Sequence, residues 1–305
     1  MHWEKLPNKE LCYSVALSHR GTVILGLFHG MIAEYDPSTG ITKDVLFLGH
    51  GHICHINTSS FPYHVVADTN GYVAIYTEDV HRHEIGSFEV KALPIALAVN
   101  QGKVVVGTVQ MRVVCHELGV GVMYSIRMPC SIVSVALSYR DSVAVLGTDG
   151  KLYQVVEDDL RECWTSPQDD LTFVTYYGTR LLAGTSQGDV LSLSFRENCE
   201  KPTVSSNQLL GQRLEGGWVC DMLFPARGNL SSGAEEALPP PWWLFHVGRG
   251  VLYGGSSSSH PIRLVPLPEG LTTDSLESVH AASWKTTAKV VISAGADVWL
   301  SCSIF

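Results

Sequence analysis

The 305-residue sequence predicts an all-β fold of seven similar units, and three observations carry that reading. Turn signals recur about every 40 residues, the spacing of a repeat architecture. The runs between them, such as "YVAIY" and "VVV", are rich in β-branched and aromatic residues, and "LSLSF" (Leu191–Phe195) alternates strictly. No long segment carries the 3.6-residue period of a helix. A four-stranded unit of this length is the signature of a β-propeller blade. One blade cannot bury both of its faces, so seven would stack as a seven-bladed β-propeller.

The turns, in order, are "FHG" ending at Gly30, "TNG" at Gly71, "VQM" at Met111, "TDG" at Gly150, "SQG" at Gly188, "GRG" at Gly250 and "AGAD" near Ala296. Asn-Gly, Asp-Gly and Gln-Gly supply the positive φ that a tight hairpin needs. One interval is long because it holds "ARGNLSSGAEEALPPP" (226–241), a Gly/Ser/Pro-rich loop insertion in the sixth blade. The fourth unit shows the strand order best: "IVSVALS" (132–138), "SVAVLGT" (142–148), "KLYQVVE" (151–157) and a short "RECWTS" (161–166). The last unit has three strands before the chain ends, and Met1–Asn8 has no blade of its own. The N-terminal strand is therefore expected to close the last blade as its outer strand, removing an open edge. Residues 1–305 are expected to form a single propeller domain.

Composition narrows the function classes. A 45% hydrophobic, 17% charged chain is a folded one, not a disordered one. A formal charge of -9 argues against direct nucleic-acid contact, which needs basic side chains on phosphates. No apolar run is long enough to insert in a membrane. The opening "MHWEKLPNKELCYS" has charges and a proline where a signal peptide would have an apolar stretch. The eight cysteines are irregularly spaced, form no C-x-x-C pair and mostly sit in apolar runs. They read as reduced packing residues, which points to the cytoplasm or nucleus.

With this pattern the chain resembles the WD-repeat family of seven-bladed propellers along its whole length. Gly49-His50 fits the family's Gly-His, and "EYD" (Glu34–Asp36) and "CHEL" (Cys115–Leu118) are degenerate forms of its Trp-Asp. The other blades lack both, so most of the family's bracing hydrogen-bond set is absent. "IALAVNQGKVVVGTVQMRVVCHEL" and "SVAVLGTDGKLYQVVED" are similar to two blades of the spindle-checkpoint and mRNA-export propellers. The resemblance implies an interaction module inside a larger assembly.

Several stretches suggest chemistry. "VVADTNGYVAIYTED" (Val65–Asp79) gathers Asp68, Asn70, Glu78 and Asp79 around a glycine, like a calcium loop. The glycine follows Asn70 directly, and a strand would carry the last two acids away, so a hairpin fits better. "GTSQG" (Gly184–Gly188) matches a nucleophile elbow, which requires a strand-to-helix turn; here it lies between two strands. "GHGHICH" (Gly49–His55) concentrates His50, His52, Cys54 and His55, and "DVHRHE" adds His81, His83 and Glu84. Zinc accepts such ligands, and His52 and Cys54 would point to one face of a strand, but a closed zinc site needs four convergent ligands. The acidic runs Glu157–Asp159 and Asp169-Asp170 read as solvated loops.

Two functions follow. The first is a non-enzymatic scaffold, a subunit of a multiprotein complex that needs no cofactor. It would bind one or more proteins on its rim, with Tyr13, His52, Pro94, Trp218 and His280 as anchors. The alternative is a propeller enzyme with a metal in its central channel. The first strands "CYSVALS", "PIALAVN", "IVSVALS" and "LTFVTYY" are mostly apolar, which favours the scaffold.

Overall fold

The computed structural model describes residues 2–8, 10–60, 62–78, 83–156, 158–165, 171–177, 180–193, 219–223, 242–246, 250–254, 263–265, 267–284 and 287–304. Among them, the regular structure is β apart from two 3-10 turns, and no helix is long and apolar enough to cross a membrane. Strand β1 (His2–Lys5) comes first. Then β2 (Cys12–Leu17), β3 (Val23–Leu27), β4 (Met31–Asp36) and β5 (Ile41–Phe47) form one antiparallel sheet. The next sheet is β6 (Ile53–Asn57), β7 (Tyr63–Asp68), β8 (Tyr72–Thr77) and β9 (Glu84–Glu89). A third is β10 (Pro94–Asn100), β11 (Lys103–Thr108), β12 (Arg112–Glu117) and β13 (Gly121–Arg127). The fourth is β14 (Ile132–Leu137), β15 (Val143–Gly147), β16 (Lys151–Val156) and β17 (Asp159–Thr165), matching the predicted order. Three strands follow as β18 (Leu171–Tyr177), β19 (Arg180–Thr185) and β20 (Val190–Leu193). The sixth sheet is β21 (Val219–Leu223), β22 (Trp242–His246), β23 (Gly250–Gly254) and β24 (Arg263–Val265). The last is β25 (Ser278–Trp284), β26 (Thr287–Ala294) and β27 (Asp297–Ile304), with β1 at its edge. The insertion at 226–241 lies outside the described residues.

The predicted partner of the N-terminal strand is the observed one. In β1, His2 stands opposite Cys302 and Lys5 opposite Trp299. The Lys5 ammonium meets the Asp297 carboxylate at 2.7 Å, and Leu6 N–H donates to Val298 O at 2.8 Å.

Two compact units divide the chain. One holds β1–β9 and β25–β27; the other holds the sheets from β10 to β24. Each unit is packed by strand alternation, because successive side chains point to opposite faces. In β3, Val23, Leu25 and Leu27 turn toward the β25–β27 sheet and pack with Val291, Val298 and Leu300. Ile24, between them, turns the other way to Ile53, Ile56 and Val66. The second unit repeats the scheme: Val143 and Val145 of β15 join Val105 and Val113, while Ala144 and Leu146 join Leu181 and Leu193. The second strands β3 and β15 are wholly buried, whereas the fourth strands β5 and β13 are largely exposed.

Close sheet stacking explains the recurring glycine at the end of the second strand. A Cβ on Gly26 would come within 2.6 Å of Ile53 Cγ2, and one on Gly107 within 3.0 Å of Ile132 Cγ2. The first strand of the next sheet occupies the space a side chain would need.

The first strands share a second device that the sequence pattern does not show. Register shifts fall between Cys12 and Ser14, Ile53 and His55, Ile132 and Ser134, and Leu171 and Phe173. Each is a bulge-type irregularity that inserts one extra residue into the strand: Tyr13, Cys54, Val133 or Thr172. A bulge bends its strand and re-aims the extra side chain.

Candidate functional site

Tyr13, the extra residue of the first bulge, belongs to an aromatic–imidazole cluster centred on Phe28 and His52. The 3-10 turn Phe28–Gly30 links β3 to β4 and brings Phe28 beside it. His29 in that turn has φ 62, and Gly30 has φ 78. A Cβ on Gly30 would lie 2.9 Å from Gly51 O and 3.0 Å from Gly49 N, so glycine lets the 48–51 loop lie close. That loop delivers His52 onto Phe28, ring centroids 4.1 Å apart and planes inclined by 18°. Tyr13 stacks on His52 at 5.5 Å, and His29 meets Phe28 edge-on at 3.9 Å.

Backbone bonds hold the cluster in place. Phe28 N–H donates to Leu11 O at 3.1 Å, and Leu48 N–H to Gly30 O at 2.9 Å. His52 N–H donates to Thr69 Oγ1 at 3.1 Å, and Thr69 N–H returns to His52 O at 2.8 Å. His29 N–H reaches His52 Nδ1 at 3.4 Å, which orients the imidazole. Alongside, His50 packs on Tyr72 at 4.6 Å while its carbonyl accepts from the Asn70 amide. Tyr13, Phe28 and His52 are half-buried; His29 and His50 are exposed, as is Leu11 at 44%. The arrangement is a rigid, partly desolvated apolar platform rimmed by imidazole nitrogens.

The predicted anchors go to different places. Tyr13 and His52 share this platform. Pro94, the last residue of the first unit, is buried; its carbonyl accepts from His55 Nε2 at 3.3 Å and more weakly from the Cys54 thiol at 3.9 Å. His280, in β25, is half-buried and accepts the Leu17 N–H on Nδ1 at 3.3 Å. Burial, with His19 nearby, pushes its pKa down to about 4. Trp218 lies outside the described residues.

The potential ligands of "GHGHICH" part company: His50 faces Tyr72, His52 joins the stack, and Cys54 and His55 turn to backbone carbonyls. Burial raises the Cys54 thiol to about 12. No group of three or more His, Cys, Asp or Glu among the described residues is placed to hold a metal ion. The suspected calcium loop is a hairpin turn. Asp68 Oδ1 accepts Asn70 N–H at 2.9 Å and Tyr72 N–H at 2.8 Å, while Glu78 lies at the far end of β8 against His64. "GTSQG" is likewise a strand-to-strand turn, with Gly188 N–H on Thr185 O at 3.1 Å.

Phe28 and His29 are the residues that sequence reasoning passed over. Their signal was available: sibling turns carry polar Thr-Asn, Thr-Asp and Ser-Gln before glycine, and this one carries Phe-His.

No family model and no curated protein matches the sequence. Solved structures match by shape. A chain of the crystal structure of a mitotic checkpoint complex has a TM-score of 0.69 at 11% identity, over 100% of this chain and 94% of that one. The crystal structure of the RRP9 WD40 repeats has a TM-score of 0.69 at 10% identity, over 99% and 97%. At such identities the likeness is one of fold. The chain has the fold of a WD-repeat β-propeller, and the seven sheets among the described residues are blades.

Proposed function

We propose that this propeller is a non-enzymatic interaction scaffold, a subunit of a multiprotein complex, and that it docks a partner protein on the Tyr13–Phe28–His29–His52 platform. The observation that carries the reading is the half-exposed stack of Phe28, His52 and Tyr13, held by backbone bonds on both sides. Binding energy in protein interfaces concentrates in a few large, pre-ordered rings that lose their remaining water on contact. Here the rings are already ordered, so little side-chain entropy is lost on docking. Exposed Leu11 extends the apolar area, and the imidazoles offer donors and acceptors at its rim. The proposal includes a cytoplasmic or nuclear location. Cys12, Cys54, Cys115, Cys130 and Cys163 are free, and burial lifts Cys12 and Cys163 to about 12, as expected of thiols used for packing.

Affinity purification of the tagged chain, with mass spectrometry of what accompanies it, tests both parts. Partners recovered with the wild type should fall at least tenfold in a Phe28→Ala/His52→Ala variant whose melting is unchanged, on the order of a single hot-spot loss. Equal recovery by the variant would move the site elsewhere. A chain that always purifies alone would remove the scaffold reading. Stoichiometric metal in the purified protein would favour the propeller enzyme instead.

A further inference from the structure

At the opposite end of β2 from Tyr13, the turn Ser18–Thr22 is gripped from two sides. On one side, β2 is the edge strand of its sheet among the described residues, so its outward N–H groups meet side chains. Val15 N–H donates to Ser278 Oγ at 3.2 Å and Leu17 N–H to His280 Nδ1 at 3.3 Å. Alternate side chains of β25 thus replace the strand partner that alternate amides of β2 would otherwise need. Lys289 of β26 adds its ammonium to Gly21 O at 2.8 Å. On the other side, Thr58 Oγ1 donates to Leu17 O at 2.9 Å, and Arg20 N–H donates to Glu78 Oε1 at 3.1 Å. The remaining oxygen of Glu78 pairs with His64 Nε2 at 3.3 Å, in a site where both side chains are at most 1% exposed. Within the turn, Ser18 Oγ accepts from Arg20 N–H and Thr22 N–H, and Thr22 Oγ1 donates to Glu34.

The hydrogen bond from Leu17 fixes the protonation of His280. A nitrogen that accepts carries no proton, so the neutral ring holds its single proton on Nε2. Adding a second proton converts the acceptor into a donor facing another donor. The titratable and charged groups around the joint are His19 and Arg20 on the turn, Glu34 on β4, Glu277 at the start of β25, Lys289 on β26, and Glu78 with His64 from the neighbouring sheet. His19 also works against a charge on His280.

We infer that the Ser18–Thr22 turn is an acid-released clasp: protonation of His280 breaks the Leu17 bond and opens the joint between β2 and β25. The sign follows from linkage. Burial and His19 hold His280 well below its ordinary 6.5, at about 4, so the opened state takes up the proton first. The clasp is fully closed above pH 6.5 and weakens as pH falls from there toward 4. Glu78 responds later. Burial alone would raise it, but His64, His19 and the Arg20 N–H together hold it below the usual carboxylate range. Its contribution persists above that range and is lost only as pH falls through its lowered value.

Amide hydrogen exchange on the full chain, corrected for the intrinsic pH dependence, tests the clasp. Protection of the Val15 and Leu17 amides should drop at least tenfold between pH 7 and pH 5, while Val104–Val106 of β11 should hold theirs. His280→Asn keeps an acceptor that does not titrate, and should flatten that loss. An equal loss in His280→Asn, or no loss in the wild type, overturns the inference. Should His280→Asn not fold, the ring resonances of wild-type His280 decide: titration near 6.5 overturns the clasp, and titration near 4 supports it.

Discussion

The first and fourth sheets use the same backbone to opposite ends. In both, a bulge near the start of the first strand frees one residue, Tyr13 or Val133, and a tight turn joins the second strand to the third. In the fourth sheet the turn carries Asp149, whose Oδ2 accepts the Tyr153 hydroxyl at 2.6 Å and whose Oδ1 accepts Lys151 N–H at 3.2 Å. Burial opposes ionisation of Asp149, but hydrogen bonds from Tyr153 and from the Cys130 thiol outweigh it and hold the carboxyl below its usual range. The turn spends its polar atoms inward as a brace. In the first sheet the turn carries Phe28 and His29 and hands its apolar face to the loop at 48–52 and to solvent. The frame is therefore shared, and side-chain chemistry at the turn decides whether an end is braced inward or leaves its apolar face open to solvent.

Breaking the frame should give the largest effect and should not distinguish the two ends. Gly26→Val forces a side chain into β6, where even a Cβ would meet Ile53 Cγ2 at 2.6 Å, and Gly147→Val forces one onto the Cys130 thiol of the preceding connection, where a Cβ would meet Sγ at 2.4 Å. Each is expected to lower stability by roughly 3 kcal/mol in urea melts, the upper range for overpacking. Equal melts for wild type and Gly26→Val would mean that the sheets are not packed so closely.

Exchanging the chemistry should separate the ends. Asp149→Ala removes the brace and leaves the Tyr153 hydroxyl without its acceptor, with an expected cost of about 1 kcal/mol. Partner recovery should not change. Phe28→Ala, on a half-exposed ring, should cost less than ~1 kcal/mol of stability yet lose the partner. A reversal of the two outcomes in parallel melts and pull-downs would assign the binding end to the fourth sheet.

The smallest effect sharpens the point. His29 sits at φ 62, in a left-handed conformation that costs an L-residue about 1 kcal/mol or more and a glycine almost nothing. Glycine's larger loss of chain entropy takes back part of that gain. His29→Gly should therefore raise stability by about 0.5 kcal/mol while weakening partner capture. A variant that gains stability and binds as well as the wild type would show that the imidazole has no part in docking.

Much of the fold was legible along the chain, for a local reason. Strand runs, their alternation and turn residues such as Asn70-Gly71 and Gly150 report on neighbours within a few positions. The predicted strands of the fourth unit lie within about two residues of β14–β17, the usual margin for such boundaries. The pairing of Met1–Asn8 with the last sheet could be read by counting strands, and β1 occupies that place over His2–Lys5. Within the candidate site, Tyr13 and His52 are the two residues that the sequence names as rim anchors.

What remained hidden depends on partners far away in sequence. Alternation tells which face of β25 His280 occupies, but not that the amide it meets belongs to Leu17, 263 residues earlier. The same blindness covers the bulge at Tyr13. One extra residue in a strand leaves its apolar pattern readable, and only the register against β3 reveals it. Local pattern thus carried the repeat of the sheets, most of their turns and the strand order within the fourth unit. Contacts between sheets decided that His52 stacks and that His280 braces β2. Those outcomes are set by distance and desolvation between sheets, and chain order carries no measure of either.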